Sequence, residues 1–295
     1  MVAGWTSQKP VPVRSQTDGS SKPGVVKVEE TSQTINCTRV ATMVKSLVTE
    51  AAVLCGGRGE RLRPLTDYFQ KVMVPIGHKK LPLLAYVIGL LKHHGVTRIA
   101  LLTGYRSEDI RHYFGNGAGY GVELRYSEDA KGQKGSLNAV VNAMKKGAIS
   151  KRGEILVYYG DVLTDLDITG LLARHRVKEA DATIVLSKGY TLPVGTATVG
   201  RGGFMASFHE KPSLDLSVTT GSMVLGSAAT ALARRLASRE NTDLMTHLLP
   251  ALLDRGLKVA TYYTEGAWYD VGTVSNFEKL DREIDRHPMS FLVRP

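Results

Sequence analysis

The most informative part of this 295-residue sequence is the stretch CGGRGERLRPLT, which runs from Cys55 to Thr66. It follows an apolar run at 51–55 that is typical of a buried strand. Its three glycines let backbone N–H groups approach a ligand, and its three arginines add positive charge suited to a polyphosphate. The stretch has neither the Gly-Lys-Ser/Thr ending of a Walker loop nor the glycine spacing of the dinucleotide fingerprint. The alternative interpretation is a basic surface turn.

Strands and helices alternate on the C-terminal side of this stretch. Apolar runs predict strands at 51–55, 97–102, 122–126 and 154–158. Between them, apolar residues recur at the i, i+3, i+4, i+7 spacing of a helix face: Leu84, Val87, Ile88 and Leu91, then Leu137, Val140, Val141 and Met144. This alternation predicts an α/β fold with a mainly parallel, doubly wound sheet.

After Asp181 the pattern changes to strands joined by short turns. The predicted strands at 182–186, 194–199 and 204–208 are expected to form an antiparallel extension of the same sheet. Helices are predicted again near 228–237 and 244–253. No linker-like composition interrupts these segments, so residues 43–295 are predicted to be a single domain.

Residues 1–42 are rich in Ser, Thr, Gln, Pro and Lys and show no periodicity, which predicts a disordered tail. No apolar run approaches the roughly 20 residues that cross a bilayer, so no membrane segment is expected. The N-terminus lacks the apolar core of a secretory signal, which favours a cytoplasmic protein. The two cysteines, Cys37 and Cys55, indicate neither a disulfide framework nor a zinc site.

The net charge of +10 could indicate a nucleic-acid partner, a soluble basic surface or a pocket for small polyphosphates. The basic residues are spread along the whole chain and do not form a stripe with interleaved aromatic residues. We therefore expect no nucleic-acid partner.

Five sequence blocks resemble the sugar-phosphate nucleotidylyltransferase family. The first loop of that family reads Gly-Gly-x-Gly-Thr-Arg-Leu-x-Pro-Leu-Thr, which resembles residues 56–66. The other blocks follow in family order: QKVMVPIG at 70–77, YGD at 159–161, EKP at 210–212 and WYDVGT at 268–273. The resemblance covers residues 50–284 approximately. It implies a three-layer, Rossmann-like nucleotide-diphospho-sugar transferase fold. The sheet of this fold is mixed and mainly parallel, with a small antiparallel extension.

The resemblance also implies a reaction, in which a sugar 1-phosphate attacks a nucleoside triphosphate and pyrophosphate leaves. Arg61 would then hold the leaving phosphates, and Lys71 would bridge the two reacting phosphates. Asp161 follows an apolar strand and so belongs at the carboxyl edge of the sheet, where open α/β folds bind ligands. With Asp270 it would bind Mg²⁺. Arg61, Lys71 and Asp161 are thus the candidate catalytic residues. The alternatives are a buried structural ion pair for Lys71 and ordinary cap or turn roles for the aspartates.

The remaining candidates are binding residues. The resemblance assigns Gly195, Glu210 and Lys211 to the sugar phosphate, although an exposed Glu–Lys pair is often only a surface ion pair. Nucleotide binding is assigned to a larger set: Cys55, Gly56, Gly57, Gly59, Arg61 and Gly135.

Several positions depart from the family pattern. Glu60 replaces a threonine, Gln70 and Val72 stand where many relatives have prolines, and the sequence TTGSM at 219–223 replaces Asn-x-Gly-x-Tyr. Gly135 stands where thymidylyl-type members carry glutamine, and its extra room favours a purine, hence GTP with mannose 1-phosphate or a related sugar. The departures leave open a catalytically silent relative that binds nucleotide-sugar and regulates a partner. A homo-oligomer is expected from the resemblance alone.

Overall fold

The computed structural model describes residues 49–130, 132, 134–151, 153–188, 190–192, 194–238, 241–287, 289 and 292. The predicted tail at 1–42 lies outside the described residues, and so do Gln133 and Pro193. Within the described ranges, no helix combines the length and the apolar character that a membrane crossing requires.

Fifteen strands are present in these ranges. In chain order they are β1 (Glu50–Cys55), β2 (Pro75–Ile76), β3 (Leu81–Pro82), β4 (Arg98–Thr103), β5 (Glu123–Glu128), β6 (Ile155–Tyr159), β7 (Val162–Thr164), β8 (Ala182–Ser187), β9 (Tyr190–Thr191), β10 (Thr196–Val199), β11 (Met205–His209), β12 (Ser213–Leu214), β13 (Val218–Leu225), β14 (Val259–Thr264) and β15 (Trp268–Asp270).

The α-helices are α1 (Leu65–Tyr68), α2 (Leu83–His93), α3 (Ser107–Phe114), α4 (Ser136–Lys145), α5 (Ile168–Val177), α6 (Ser227–Leu236), α7 (Leu249–Asp254) and α8 (Val274–Glu283). Short 3₁₀ turns occupy Glu60–Leu62, Lys71–Met73, Ala118–Tyr120, Arg201–Gly203 and Ile284–Arg286. A π-helical turn at Leu244–Leu248 leads into α7.

Seven strands form the central sheet, in the order β14-β8-β13-β6-β1-β4-β5. All neighbouring pairs are parallel except the two that β13 makes with β6 and β8. The predicted mainly parallel sheet is confirmed. Its antiparallel member is β13, a strand that was not predicted from the sequence.

Each face of the sheet is covered by helices, which gives three layers. Along β1, Ala51 and Val53 belong to the apolar cluster that contains α2 and α5 residues, whereas Ala52 belongs to the cluster of α4 and α6. This alternation follows from the two-residue period of a strand. A third cluster joins Leu62 and Val74 to Leu280 of α8, so the C-terminal helix packs against the segments that follow β1.

The predicted extension of the sheet is correct only for 182–186, which corresponds to β8. The other two segments, β10 and β11, form a separate antiparallel hairpin with a register irregularity between Thr198 and Val199. Nearly all of their residues are exposed. A strand with no buried face gains little stability from packing in the central sheet. The period-two pattern therefore predicted these strands correctly but not the sheet to which they belong.

Candidate active site

The loop after β1 lies at the carboxyl edge of the parallel strands, the usual ligand side of such sheets. Gly59 adopts a left-handed conformation with φ of 66°, and its carbonyl accepts hydrogen bonds from Leu62 N and Thr66 Oγ1, both at 2.8 Å. A methyl group at Gly59 would lie 2.7 Å from Thr66 Cγ2 and 3.1 Å from Lys71 Cβ. The loop therefore folds back onto the lysine, and residue 59 has to be a glycine.

Lys71 opens a 3₁₀ turn whose conformation is held by the preceding side chain. Gln70 is 0 % exposed; its Nε2 donates to the Cys55 carbonyl at 2.5 Å, and its Oε1 accepts from Val72 N at 2.7 Å. The Lys71 ammonium donates to the Asp161 carboxylate, and the two side chains are 12 % and 24 % exposed. The predicted catalytic lysine and aspartate are thus in contact.

Asp161 follows β6 through a tight approach of two chain segments. Gly160 N donates to the Leu54 carbonyl at 3.0 Å, and a methyl group at residue 160 would come within 2.9 Å of that oxygen. The Asp161 carbonyl accepts from Val271 N at 2.9 Å. Because β15 pairs with β7 with Asp270 opposite Val162, the second aspartate lies beside the first.

Opposite charges meet around Asp270. Burial raises the pKa of this carboxyl, and the nearby Asp161 raises it further, whereas Lys71 and Arg61 act in the other direction. A methyl group at Gly272 would lie 3.0 Å from Asp270 Oδ1 and 3.3 Å from Arg61 Nη2, so the guanidinium and the carboxylate flank this glycine. The structure therefore brings together Arg61, Lys71, Asp161 and Asp270 as two cations and two anions.

The other nucleotide-binding candidates line or support the loop. The Cys55 thiol is buried, and burial, with a further contribution from Asp161, raises its pKa. Its side chain is therefore shielded from a nucleotide. Gly56 leaves space for a carboxylate that the sequence analysis missed, since a methyl group there would lie 2.9 Å from Asp129 Oδ2. Asp129 directly follows β5, just as Asp161 comes soon after the end of β6. This shared position at the end of a parallel strand is the sequence signal that could have identified Asp129.

The surroundings of Gly135 contradict the expectation that this glycine leaves room for a purine. Its φ is 99°, and a methyl group at this position would lie 2.3 Å from the Thr242 carbonyl and 2.6 Å from Asn241 Oδ1. The space beside Gly135 is filled by this neighbouring segment of the same chain. The glycine accommodates packing at the start of α4, so it does not support the argument that extra room favours a purine.

The sugar-phosphate candidates lie together where the exposed hairpin begins and ends, with Gly195 just before β10 and Glu210 and Lys211 just after β11. A methyl group at Gly195 would meet the Phe208 ring at 2.6 Å and Glu210 Oε2 at 3.0 Å. Lys211 has a φ of 46°, and both Glu210 and Lys211 are exposed. Among the described residues, no hydrogen bond or ion pair joins this group to Arg61, Lys71, Asp161 or Asp270.

The paired aspartates have the chemistry of a magnesium site. The described residues contain no cluster of three or more potential metal ligands of the His, Cys, Asp or Glu type. Mg²⁺, however, commonly uses one or two carboxylates and completes its shell with phosphate oxygens and water. Burial and, after it, the negative charge of Asp161 raise the pKa of Asp270, so the ionised carboxylate is one that a bound cation would stabilise. A divalent cation between Asp161 and Asp270 fits this arrangement.

Comparisons with known proteins agree with the geometry. Residues 50–287 match the family model described as Nucleotidyl transferase. The chain is 30% identical over 254 residues to a UTP–glucose-1-phosphate uridylyltransferase of Synechocystis sp., covering 80% of this chain and 63% of that protein. It is 28% identical over 244 residues to a mannose-1-phosphate guanylyltransferase of Mycobacterium tuberculosis, covering 80% of this chain and 65% of that protein. The chain thus spans less than two thirds of the length of either relative.

A solved structure shows the same fold. HddC from Yersinia pseudotuberculosis, crystallised with GMP-PN, superimposes with a TM-score of 0.62 at 19% sequence identity. The superposition covers 80% of this chain and 99% of HddC.

Proposed function

Since the chain belongs to the nucleotidyl transferase family, we propose that it joins a nucleoside triphosphate to a sugar 1-phosphate. The products would be a nucleotide-sugar and pyrophosphate. The observation that carries the proposal is the convergence of Arg61, Lys71, Asp161 and Asp270 beside the glycine loop. A basic surface turn or an isolated ion pair would not place two cations and two carboxylates at the ligand-binding edge of the sheet.

The proposed reaction is an in-line substitution at the α-phosphorus. A phosphate oxygen of the sugar 1-phosphate forms the new P–O bond, and the bond to the β-phosphate breaks with pyrophosphate as the leaving group. Both reactants are anions, so positioning and charge neutralisation provide most of the rate enhancement. Arg61 would hold the leaving phosphates, and the Lys71 ammonium would move from Asp161 to the reacting phosphates.

Asp161 and Asp270 would hold Mg²⁺. When bound, the ion supplies Lewis-acid charge neutralisation for the triphosphate. The two carboxylates would no longer depend on Lys71 and Arg61 for their counter-charge. Both cations would then be available to the phosphates of the substrates.

Glu210 and Lys211 would bind the second substrate. Glu210 would accept hydrogen bonds from sugar hydroxyls, and the Lys211 ammonium would contact the sugar phosphate. Gly195 lies next to Glu210, so the sugar could rest against its backbone. Because the hairpin is exposed and lies apart from the central sheet, this half of the site would gain its contacts only when the sugar phosphate is present.

GTP and mannose 1-phosphate, or a related sugar, are the first substrates to test. A guanylyltransferase for mannose 1-phosphate is among the relatives, although a uridylyltransferase is too. The room beside Gly135 no longer argues for a purine, since the chain itself fills it. A preference of tenfold or more for dTTP or UTP over GTP would refute the guanylyl assignment.

The decisive experiment is pyrophosphate release across five nucleoside triphosphates and several sugar 1-phosphates, with and without Mg²⁺. Turnover that needs both substrates and is lost in Lys71→Ala would support the proposal and identify the substrates. Circular dichroism of the variant would establish that it is folded. No turnover across the panel, with nucleotide-sugars still raising the Tm, would indicate a regulatory binding protein.

Three further features belong to the proposal: a cytoplasmic location, a homo-oligomeric state and the absence of a nucleic-acid partner. The family resemblance supports the oligomer, and the scattered basic residues argue against nucleic acid. Light scattering after size exclusion would measure the oligomeric state. A monomer at micromolar concentration would refute that part.

A further inference from the structure

Gln70 is a buried polar residue directly before Lys71, and in the sequence it stands out only as a departure from the family pattern. Its side chain is 0 % exposed and bridges two backbone segments. The amide nitrogen donates to the Cys55 carbonyl at the end of β1, and the amide oxygen accepts from Val72 N. A buried amide with both ends satisfied in this way specifies the distance between the segments that it joins.

The segments that Gln70 joins are the two that form the phosphate side of the site. The strand ending at Cys55 leads directly into the glycine loop, and Val72 is the residue after Lys71. Val72 also packs close to Gly160, since a methyl group at Gly160 would lie 3.2 Å from Val72 Cγ1. Gly160 in turn precedes Asp161, the partner of Lys71.

We propose that Gln70 is a positioning residue for nucleotidyl transfer, which sets the Lys71 ammonium against Asp161 and the glycine loop. The inference rests on the proposed function. Gln70 would touch neither substrate. It would act by fixing the start of the 3₁₀ turn at Lys71–Met73, where it is the N-cap residue.

Both hydrogen bonds of the amide are needed for this role. Glutamate keeps an acceptor for Val72 N but loses the donor, and it would place a second oxygen against the Cys55 carbonyl. Methionine has a similar length and loses both bonds, so the Cys55 carbonyl and Val72 N would lose the hydrogen bonds that the amide supplies. A misplacement of about 1 Å can reduce a rate by about 10²-fold. Either change would therefore lower kcat by displacing the Lys71 ammonium.

The test compares kcat and KM for Gln70→Met, Gln70→Glu and wild type. We expect kcat to fall by about 10²-fold in Gln70→Met, with KM for the nucleotide changed much less. Gln70→Glu provides a second variant if Gln70→Met does not fold. The matched control is Arg176→Met, which removes partly buried hydrogen bonds to Glu154 and Thr49 at the opposite edge of the sheet. It should lower the Tm and leave kcat near that of wild type.

A double-mutant cycle with Lys71→Arg separates positioning from general destabilisation. If Gln70 acts through Lys71, Gln70→Met should lower kcat much less in the Lys71→Arg background than in wild type. Equal losses in both backgrounds, or an active wild type in which Gln70→Met keeps full kcat, would overturn this inference alone. A wild type without any turnover would overturn the proposed function and this inference with it.

Discussion

The phosphate side of the candidate site and the sugar side are built in opposite ways. On the phosphate side, segments far apart in sequence converge, and the Lys71–Asp161 pair is mostly buried. On the sugar side, Gly195, Glu210 and Lys211 lie on or next to one hairpin that is separate from the central sheet. That hairpin exposes apolar side chains, with Val199 75 % and Phe204 79 % exposed.

This difference suggests that the phosphate side contributes mainly to catalysis and the sugar side mainly to substrate binding. A buried, hydrogen-bonded arrangement holds charged groups in place before substrate arrives, which is how electrostatic catalysis avoids reorganisation during the reaction. An exposed hairpin can adapt to its ligand at little cost to the fold. We therefore expect substitutions on the phosphate side to lower kcat, and substitutions on the sugar side to raise the KM for the sugar phosphate.

The largest effect is expected from Lys71→Ala. Removal of the ammonium should lower kcat by about 10³-fold, because no other described cation contacts Asp161 and could take its place at the reacting phosphates. Steady-state pyrophosphate release would measure the loss. Lys71→Arg keeps the charge and should retain part of the rate. If Lys71→Ala kept more than a tenth of the wild-type kcat, the proposed catalytic role of the phosphate side would be contradicted.

Lys211→Met should affect binding more than turnover. A lost hydrogen bond between charged groups corresponds to roughly 1.5–3 kcal/mol, so the KM for the sugar phosphate should rise by about 10–100-fold. The KM for the nucleotide should change little. Lys188→Met removes the charge of another exposed lysine, whose ammonium lies over the Tyr263 ring, and serves as a control for charge. If Lys211→Met lowered kcat and left both KM values unchanged, the assignment of Lys211 to substrate binding would be wrong.

Gly272→Ala tests how tightly the charged groups are held. Its methyl group would lie 3.0 Å from Asp270 Oδ1 and 3.3 Å from Arg61 Nη2, so both side chains would have to shift. We expect kcat to fall by roughly tenfold with a small change in Tm. Gly119→Ala is the matched control, because a methyl group there meets no atom within 4 Å. Equal activity of the two variants would show that the site tolerates displacement.

Asp270→Asn gives a pH-dependent effect whose sign follows from the raised pKa. The ordinary pKa is 3.8, and a folded-state pKa above it means that ionisation of Asp270 destabilises the native state. In metal-free buffer the amide should therefore raise the Tm at neutral pH. The gain should shrink as the pH falls through the raised pKa and vanish below 3.8.

Asp285→Asn should show the opposite sign and serves as the control. Burial acts against the ionised form, but hydrogen bonds from His78 hold the pKa of Asp285 below its ordinary value. Its stabilising contribution is present at neutral pH and is lost in acid. If Asp270→Asn and Asp285→Asn changed the Tm in the same direction at neutral pH, the charge arrangement described for Asp270 would be wrong.

The smallest effect is expected from Phe204→Ser on the hairpin. Surface substitutions usually change the free energy of unfolding by less than about 0.5 kcal/mol, and this ring is 79 % exposed. Leu62→Ala, a truncation in the buried cluster beneath the glycine loop, should instead cost about 2–5 kcal/mol. Chemical denaturation would measure both. A large loss in Phe204→Ser would show that the hairpin is covered in solution.

The sequence was sufficient where local pattern and burial agree. The strands β1, β4, β5 and β6 begin and end within about two residues of their predicted positions, because apolar runs between turn signals define a buried parallel strand. Asp161 was placed correctly at the carboxyl edge of β6 for the same reason. The antiparallel member β13 was missed, and the hairpin of β10 and β11 was assigned to the wrong sheet, since pairing partners are a property of the whole chain.

The sequence by itself determined the fold class, the family resemblance and which residue types gather at the strand ends. Only the tertiary structure decided that Arg61 and Asp270 flank Gly272, that the Gln70 side chain bridges Cys55 and Val72, and that Gly135 accommodates a neighbouring segment. Spacing along a chain predicts contacts within one element. Contacts between residues 61 and 272, or 135 and 242, arise only when several elements pack around one core.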